Sequence, residues 1–118
     1  GMPAPVCVAK GVDLVALRGV TGGDADFERE LVDVFLASGD RELAALLAAL
    51  GASDWPVVRR HAHALKGASA NMRARTLAGA AQRLEAAASD GDAAACESRA
   101  RDVEREFRRA AEFLAAVR

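Results

Sequence analysis

Apolar residues recur three and four positions apart along most of this chain, which is the spacing of amphipathic helices. Residues that favour turns interrupt this pattern at positions 21–24, 39–40, 51–54 and 90–92. These breaks divide the chain into six predicted helices. They cover residues 12–18, a segment that begins after Asp24 and ends before Gly39, residues 43–50, residues 55–72, residues 76–88 and residues 93–117.

The turns between these helices are short, which predicts that neighbouring helices run antiparallel. Four of the helices are long enough to form an antiparallel four-helix bundle, and two short additional N-terminal helices would cap or extend it. Asp24 is a predicted N-cap, and Ser53 or Asp54 is predicted to cap the helix whose first turn contains Pro56. The pattern therefore predicts an all-α fold.

Residues 1–11 lack this periodicity and contain two prolines. We therefore predict a flexible N-terminal arm over residues 1–11 and one helical domain over residues 12–118. Gly1 precedes Met2, and we interpret Gly1 as a remnant of tag removal. On that interpretation Met2 is the natural start, which favours a free-standing protein.

The amino-acid composition agrees with an all-α fold. Hydrophobic residues make up 52% of the 118 residues and aromatic residues only 4%, so the apolar content is mostly Ala, Leu and Val. Ala and Leu are strong helix formers, whereas the aromatic residues that favour strands are scarce. A chain of this length is expected to form one domain with one core.

The charge balance argues against two classes of partner. The chain has 16 basic and 17 acidic residues and a formal net charge of −1. This balance predicts no overall electrostatic attraction to nucleic acid or to anionic membranes. It contains no apolar run near the ~20 residues that span a bilayer and no signal-peptide pattern. Cys7 and Cys96 show no metal or redox spacing. We therefore expect a cytoplasmic protein with two free thiols.

One helical segment carries the candidate chemistry, with the sequence H-A-H-A-L-K-G-A-S-A-N at residues 61–71. Lys66 and Gly67 follow His63 by three and four residues, so both lie one helical turn from it. A histidine in this position has a positive charge on one side and no side chain on another. Such surroundings suit close approach by a large anionic partner and do not suit a histidine packed in a core.

The two histidines of this segment point to different sides of the helix. Residues two apart point about 200° apart, so His61 and His63 cannot hold one metal ion from the same turn, and no metal site is expected. Leu65 belongs to the stripe that faces the bundle, which places His63 towards solvent. Arg59 and Arg60 lie one turn before it and complete a basic patch. Without this spacing, His63 would be an ordinary surface histidine.

The run A-H-A-L-K-G at residues 62–67, followed by Ser69, resembles the signature of histidine-containing phosphotransfer (HPt) domains. The run E-L-V-D-V-F-L at residues 30–36 and the run that ends at Glu85 are similar to the helices that flank this signature in the family. The resemblance covers most of the chain. The family often has Gly-Ala where this chain has Arg73 and Ala74, and this departure affects the predicted helix boundary.

HPt domains carry a phosphoryl group on one histidine between the receiver domains of two-component phosphorelays. The resemblance therefore implies that His63 is the phosphoacceptor and that Lys66 stabilises the charge of the transferred group. It also implies that Glu85, on the next antiparallel helix, accepts the hydrogen bond that orients the imidazole. An ordinary solvated carboxylate is the alternative interpretation of Glu85.

The same helix face supplies the residues expected to dock a partner, which are Arg59, Arg60, Gly67 and Ala70. Ser69 and Asn71 are expected to support the site by orienting Lys66 or by capping the helix. For Ser69, a packing role is an equally good interpretation.

The resemblance implies that the partners are response-regulator receiver domains, and a hybrid histidine kinase is a further candidate. The chain has no glycine-rich nucleotide loop, so we expect a phosphoryl carrier without ATP-dependent kinase activity. No cofactor is expected to be bound, and Mg²⁺ would come with the receiver. Because the chain has enough helices to close a bundle alone, a monomer is expected.

Two other classes of function remain open. The first is a helical interaction module that binds a receiver without transferring phosphate. The second is the dimerisation and phosphoacceptor domain of a sensor kinase, a helical hairpin whose histidine is usually followed by an acidic residue. Here Ala64 follows His63, which argues against the second class.

Overall fold

The computed structural model describes residues 8–118, in which four long helices form an antiparallel bundle. A two-residue pair of antiparallel strands and one short helix precede the bundle. The elements are β1 (Val8–Ala9), β2 (Val12–Asp13), α1 (Leu14–Thr21), α2 (Ala25–Gly51), α3 (Trp55–Asn71), α4 (Arg75–Ser89) and α5 (Ala93–Val117). Each long helix packs on the next one, and α5 closes the bundle against α2. The prediction of an all-α, antiparallel four-helix bundle is confirmed.

Aspartate side chains fix the start of four helices by accepting a hydrogen bond from the backbone N–H three residues later. These N-caps are Asp13 for α1, Asp24 for α2, Asp54 for α3 and Asp92 for α5. The predicted cap at Asp24 is confirmed, and of the two candidates before α3 the structure selects Asp54. Helix α4 begins at Arg75, one residue before the predicted start, and has no side-chain cap.

The predicted break at Gly39 and Asp40 is wrong, because α2 continues through both residues. Glycine costs about 1 kcal/mol relative to alanine inside a helix. That cost is offset because Gly39 is buried under the ring of Phe107 from α5. Phe35 and Leu43 continue the same buried stripe on either side. The two predicted segments are thus one bundle helix, and within residues 8–118 only α1 is an additional N-terminal helix.

The core of the bundle is built from leucine, valine and alanine. Its largest fully buried hydrophobic side chains are Leu17, Leu46, Leu65, Leu77, Leu84, Leu114, Val12, Val32, Val58 and Val103. Small alanines on α4 and α5, such as Ala81 and Ala100, let the helices approach closely. Cys96 is buried and free, whereas Cys7 lies outside the described residues. No helix within residues 8–118 combines the length and the apolar character needed to cross a bilayer.

The strand pair lies against the turn between α3 and α4. The N–H of Asp13 donates to the carbonyl of Arg73 at 2.8 Å, and Val12 forms a bridge with Ala74. Val12 and Asp13 form strand β2, which pairs with β1. The first helix therefore begins at Leu14 and not at residue 12 as predicted. Of the predicted arm, residues 8–11 lie in this hairpin, and residues 1–7 lie outside the described residues.

Helix α3 ends in a left-handed turn at Arg73, where φ is +59°. The N–H of Ala74 donates to the carbonyl of Ser69 and the N–H of Arg73 to that of Ala70, which is the Schellman pattern. Arginine therefore occupies the conformation that glycine adopts most easily. The structure settles the helix boundary that the Arg73 departure affected: α3 ends at Asn71.

Replacing Arg73 with glycine should raise the melting temperature. A left-handed conformation costs a non-glycine residue about 1 kcal/mol, and glycine removes that cost. Arg73 Nη1 also donates to the carbonyl of Ala70, and this bond would be lost. The matched control Arg73→Ala loses the same bond but keeps the Cβ, so it should not stabilise the protein. Thermal unfolding of both variants measures the difference, and equal melting temperatures would contradict the assignment of strain.

Candidate functional site

Helix α3 presents His63 to solvent because its opposite face is anchored in the core. Val58, Ala62 and Leu65 are fully buried, whereas the His63 side chain is 68% exposed. The stripe that the sequence predicted for this helix is therefore confirmed. It places the imidazole where a second protein can reach it.

Glu85 of α4 joins His63 and Lys66 of α3 in one hydrogen-bonded cluster. Its Oε2 lies 2.5 Å from Nδ1 of His63, and its Oε1 accepts from Nζ of Lys66 at 2.9 Å. The hydrogen bond from Lys66 holds the pKa of Glu85 below its usual value, with a smaller contribution from His63, although burial acts in the opposite direction. Glu85 is therefore ionised at neutral pH.

The ionised carboxylate fixes the tautomer of His63. A carboxylate without a proton can only accept hydrogen bonds, so Nδ1 of His63 carries the proton and donates it to Glu85. In the neutral imidazole, Nε2 then holds the lone pair. The geometry thus provides an oriented nitrogen nucleophile on an exposed helix face.

A cleft of about 410 Å³ opens beside the imidazole, between α3 and α4. It is lined by Pro56, Arg59, Arg60, His63 and Glu85. Both arginines are exposed, and within residues 8–118 neither has a carboxylate within 4.0 Å. The basic patch predicted around His63 therefore lies on one wall of this cleft.

His61 occupies a different environment from His63. Its Nδ1 lies 2.6 Å from Oε2 of Glu42 on α2, and its side chain is 21% exposed. The sequence did not predict this contact, because nothing local relates residues 42 and 61. The pair joins α2 to α3 and gives His61 a structural role.

The predicted docking residues Gly67 and Ala70 and the predicted supporting residues Ser69 and Asn71 lie in three different environments. Gly67 and Ala70 are exposed on the same helix face as His63, and a side chain at Gly67 would meet no atom within 4 Å. Ser69 is fully buried and its hydroxyl donates to the carbonyl of Leu65 at 2.6 Å, a contact that agrees with a packing role. Asn71 is exposed in the last position of α3 and is not part of the His63 cluster; it lines an apolar groove between α2 and α3.

Within residues 8–118, no three side chains of His, Cys, Asp or Glu come together as metal ligands would. His61 and His63 each pair with a glutamate on a different helix, so the His-x-His spacing brings no shared ligand set together.

Comparison with known proteins identifies the family. The family model described as Hpt domain matches residues 30–117. The chain is similar to the crystal structure of histidine-containing phosphotransfer protein B (HptB) from Pseudomonas aeruginosa PAO1, with 31% sequence identity and a TM-score of 0.84 over 97% of this chain and 95% of that chain. No curated protein sequence matches the chain. The matched residues 30–117 include most of α2, all of α3, α4 and α5, and the His63 cluster, so the chain belongs to the Hpt family and has a histidine phosphotransfer role in phosphorelays.

Proposed function

We propose that this protein accepts a phosphoryl group on His63 from the aspartyl phosphate of one receiver domain and passes it to the aspartate of another. Hpt proteins interact with receiver domains and histidine kinases, which gives the class of partner. The observation that carries the proposal is the exposed imidazole of His63 held at Nδ1 by Glu85. Of the two histidines, His63 alone combines exposure, a fixed tautomer and neighbouring cations.

In the transfer step, the lone pair on Nε2 of His63 attacks the phosphorus of the aspartyl phosphate. The new N–P bond forms as the bond from phosphorus to the aspartate oxygen breaks, and the aspartate leaves as a carboxylate. The proton on Nδ1 stays in the hydrogen bond to Glu85, so no proton has to leave the ring during attack. Transfer to a second receiver reverses these bond changes.

The transition state spreads negative charge over the equatorial phosphoryl oxygens, and cations stabilise it. We propose that the receiver brings the Mg²⁺ that this reaction needs and that the Hpt protein itself binds no cofactor. Lys66 neutralises Glu85 at 2.9 Å, so the carboxylate that orients His63 does not repel the incoming phosphoryl group. Lys66 therefore assists the transfer through charge, while the covalent chemistry belongs to His63.

The docking face for the receiver lies on the exposed side of α3, where Gly67 and Ala70 follow His63. The groove beside this face is lined by Leu31, Val34, Phe35, Ser38, Ala68, Asn71 and Met72. Val34 is 67% exposed, which is unusual for a large apolar side chain. Exposed apolar surface next to the absent side chain of Gly67 supports a protein partner at this face.

The proposal is tested by mixing the purified protein with a panel of receiver domains that carry labelled aspartyl phosphate. We expect the label to move to the Hpt protein and to show the lability of a phosphohistidine, which is sensitive to acid and stable in base. Adding a second, unlabelled receiver should then remove the label from the Hpt protein. Binding of receivers without any transfer of label would favour an interaction module, and this outcome would overturn the proposal.

The kinase-type alternative is tested by the oligomeric state. We propose a monomer, since α2–α5 already close a bundle, whereas a sensor-kinase phosphoacceptor domain needs a dimer to do so. Sedimentation at several concentrations separates the two. Cytoplasmic localisation remains a prediction, and fractionation of cells that express the protein would test it.

Lys66→Ala should slow phosphoryl transfer without abolishing it. The change removes one positive charge and leaves the Glu85 carboxylate uncompensated beside the incoming phosphoryl group. We expect a loss of about tenfold or less, because water screens a charge near the surface. Initial transfer rates at low salt measure the effect, with Lys66→Arg as the variant that keeps the charge. Rates equal to those of the wild type would remove Lys66 from the mechanism.

Gly67→Gln should weaken receiver binding and transfer while it leaves the melting temperature unchanged or raises it. Glycine is less favourable than alanine inside a helix by about 1 kcal/mol, glutamine is closer to alanine, and a Cβ at Gly67 meets open space. The same side chain obstructs the docking face. Gly51→Gln is the matched control, because Gly51 is an exposed glycine in the last turn of α2 whose Cβ would also meet no atom within 4 Å. A clear drop in the melting temperature of Gly67→Gln would defeat the docking interpretation.

A further inference from the structure

The cations around His63 differ in whether a carboxylate lies close enough to neutralise them. Lys66 is held by Glu85 at 2.9 Å, so its charge is matched by a carboxylate. Arg59 and Arg60 line the cleft beside the imidazole, and within the described part of the chain neither forms a salt bridge. The positive charge that is free to meet an anion therefore lies on the two arginines.

The net charge of the cleft follows from the same contacts. Glu85 also lines the cleft, and as an ionised group it would repel a phosphoryl group by itself. Because Lys66 neutralises it, the pair adds little net field. Arg59 and Arg60 then give the cleft a charge of about +2, which is the complement of a phosphoryl dianion.

The direction of helical side chains places the imidazole over these arginines. A side chain on an α-helix leans towards the N-terminus and covers the turn before its own Cα. For His63 this turn contains Arg59 and Arg60, which agrees with the residues that line the cleft. Gly67 and Ala70 lie on the other side of His63, where we place the receiver.

We propose that the cleft is the binding site for the phosphoryl group carried by His63, with the guanidinium groups of Arg59 and Arg60 as its ligands. This inference rests on the proposed function, because it assumes that His63 carries the group. Guanidinium presents a planar set of donors that matches phosphate oxygens, and it stays charged at every physiological pH. Lys66 acts on the same site through Glu85 and is not among the residues that line the cleft.

The first test needs no phosphotransfer and uses inorganic phosphate as the probe. Amide resonances of ¹⁵N-labelled protein are followed while orthophosphate is added at constant ionic strength. We expect saturable shifts at residues 59–63 in the wild type and a loss of about tenfold in affinity in Arg59→Gln/Arg60→Gln. Arg101→Gln is the matched control, because Arg101 is an exposed arginine on α5, away from the cleft. Equal affinity in the double variant and the wild type, or no saturable shift in the wild type, would overturn the inference.

The second test uses protein phosphorylated on His63 and follows the ³¹P resonance as a function of pH. Neighbouring cations favour the dianion, so the two arginines should lower the pKa of the phosphoryl group. That pKa should rise in Arg59→Gln/Arg60→Gln and stay unchanged in Arg101→Gln. If the double variant lost receiver affinity while this pKa did not move, the arginines would be docking residues and the inference would be wrong.

The two tests also separate this inference from the proposed function. Saturable orthophosphate binding by a protein that takes no label would count against the proposed function and leave the anion site in place. Normal transfer, combined with unchanged orthophosphate affinity and an unchanged phosphoryl pKa in Arg59→Gln/Arg60→Gln, would support the proposed function and overturn this inference.

Discussion

His63→Gln is expected to abolish phosphoryl acceptance completely while the protein keeps its helical fold. His63 is 68% exposed, so its loss removes no core packing, and Gln has no nitrogen lone pair that can attack phosphorus. Gln is polar and its amide can still donate hydrogen bonds, so the change introduces no apolar side chain at this exposed position. Loss of label with an unchanged circular dichroism spectrum therefore reports on the chemistry and not on folding.

His61→Gln is the matched control for this experiment. His61 is 21% exposed and lies 2.6 Å from Glu42, and a Gln amide can replace that hydrogen bond. This variant should accept phosphate at a rate close to that of the wild type, with at most a small loss of stability. If His61→Gln were the inactive variant and His63→Gln still took label, the assignment of the phosphoacceptor would be wrong.

Gly39→Ala should destabilise the bundle even though alanine is the better helix former. A Cβ at Gly39 would clash with Cε2 of Phe107 and would lie 2.9 Å from Cζ of the same ring, so the ring must move. Phe107 is buried and its ring lies 6.0 Å from that of Phe35, which leaves it little freedom. Overpacking of this kind typically costs about 1–3 kcal/mol, more than the gain of about 1 kcal/mol in helix propensity. Chemical denaturation measures the difference.

Two further variants test the reason for this loss. Gly67→Ala adds the same methyl group to a helix where it meets no atom within 4 Å, so it should stabilise the protein. Combining Gly39→Ala with Phe107→Leu should cost less than the sum of the two single changes, because the smaller side chain leaves room for the Cβ. Additive effects would show that the contact between Gly39 and Phe107 does not explain the destabilisation.

Local patterns in the sequence were sufficient to predict α3, α4 and α5 and one half of the site. The stripe through Val58, Ala62 and Leu65 fixes which face of α3 is buried, so it also fixes that His63 is exposed. Lys66 and Gly67 lie beside His63 because helical geometry relates residues three and four apart. The starts of α2 and α3 were also predicted, since an N-cap depends only on the three residues that follow it.

The prediction that Glu85 contacts His63 came from the family resemblance, because local patterns do not imply it. Spacing alone does not relate residues 63 and 85, so the hydrogen bond between them was an implication of the family, and the structure contains it. The pairing of Glu85 with Lys66 followed from neither source. It adds to the expected role of Lys66, because its ammonium group also neutralises the carboxylate that orients His63.

Tertiary structure alone decided the features in which residues distant in the sequence meet. Gly39 predicts a break when α2 is considered alone, and it is tolerated because Phe107 of α5 fills the space that a side chain would take. Glu42 pairs with His61, and the hairpin at Val12 packs on the turn after α3, through contacts that no periodicity encodes. The sequence thus determined α3, α4, α5 and the exposed histidine, because these depend on neighbours within one turn. The cleft, the oriented tautomer and the continuity of α2 depend on how the helices pack, because their atoms come from different helices.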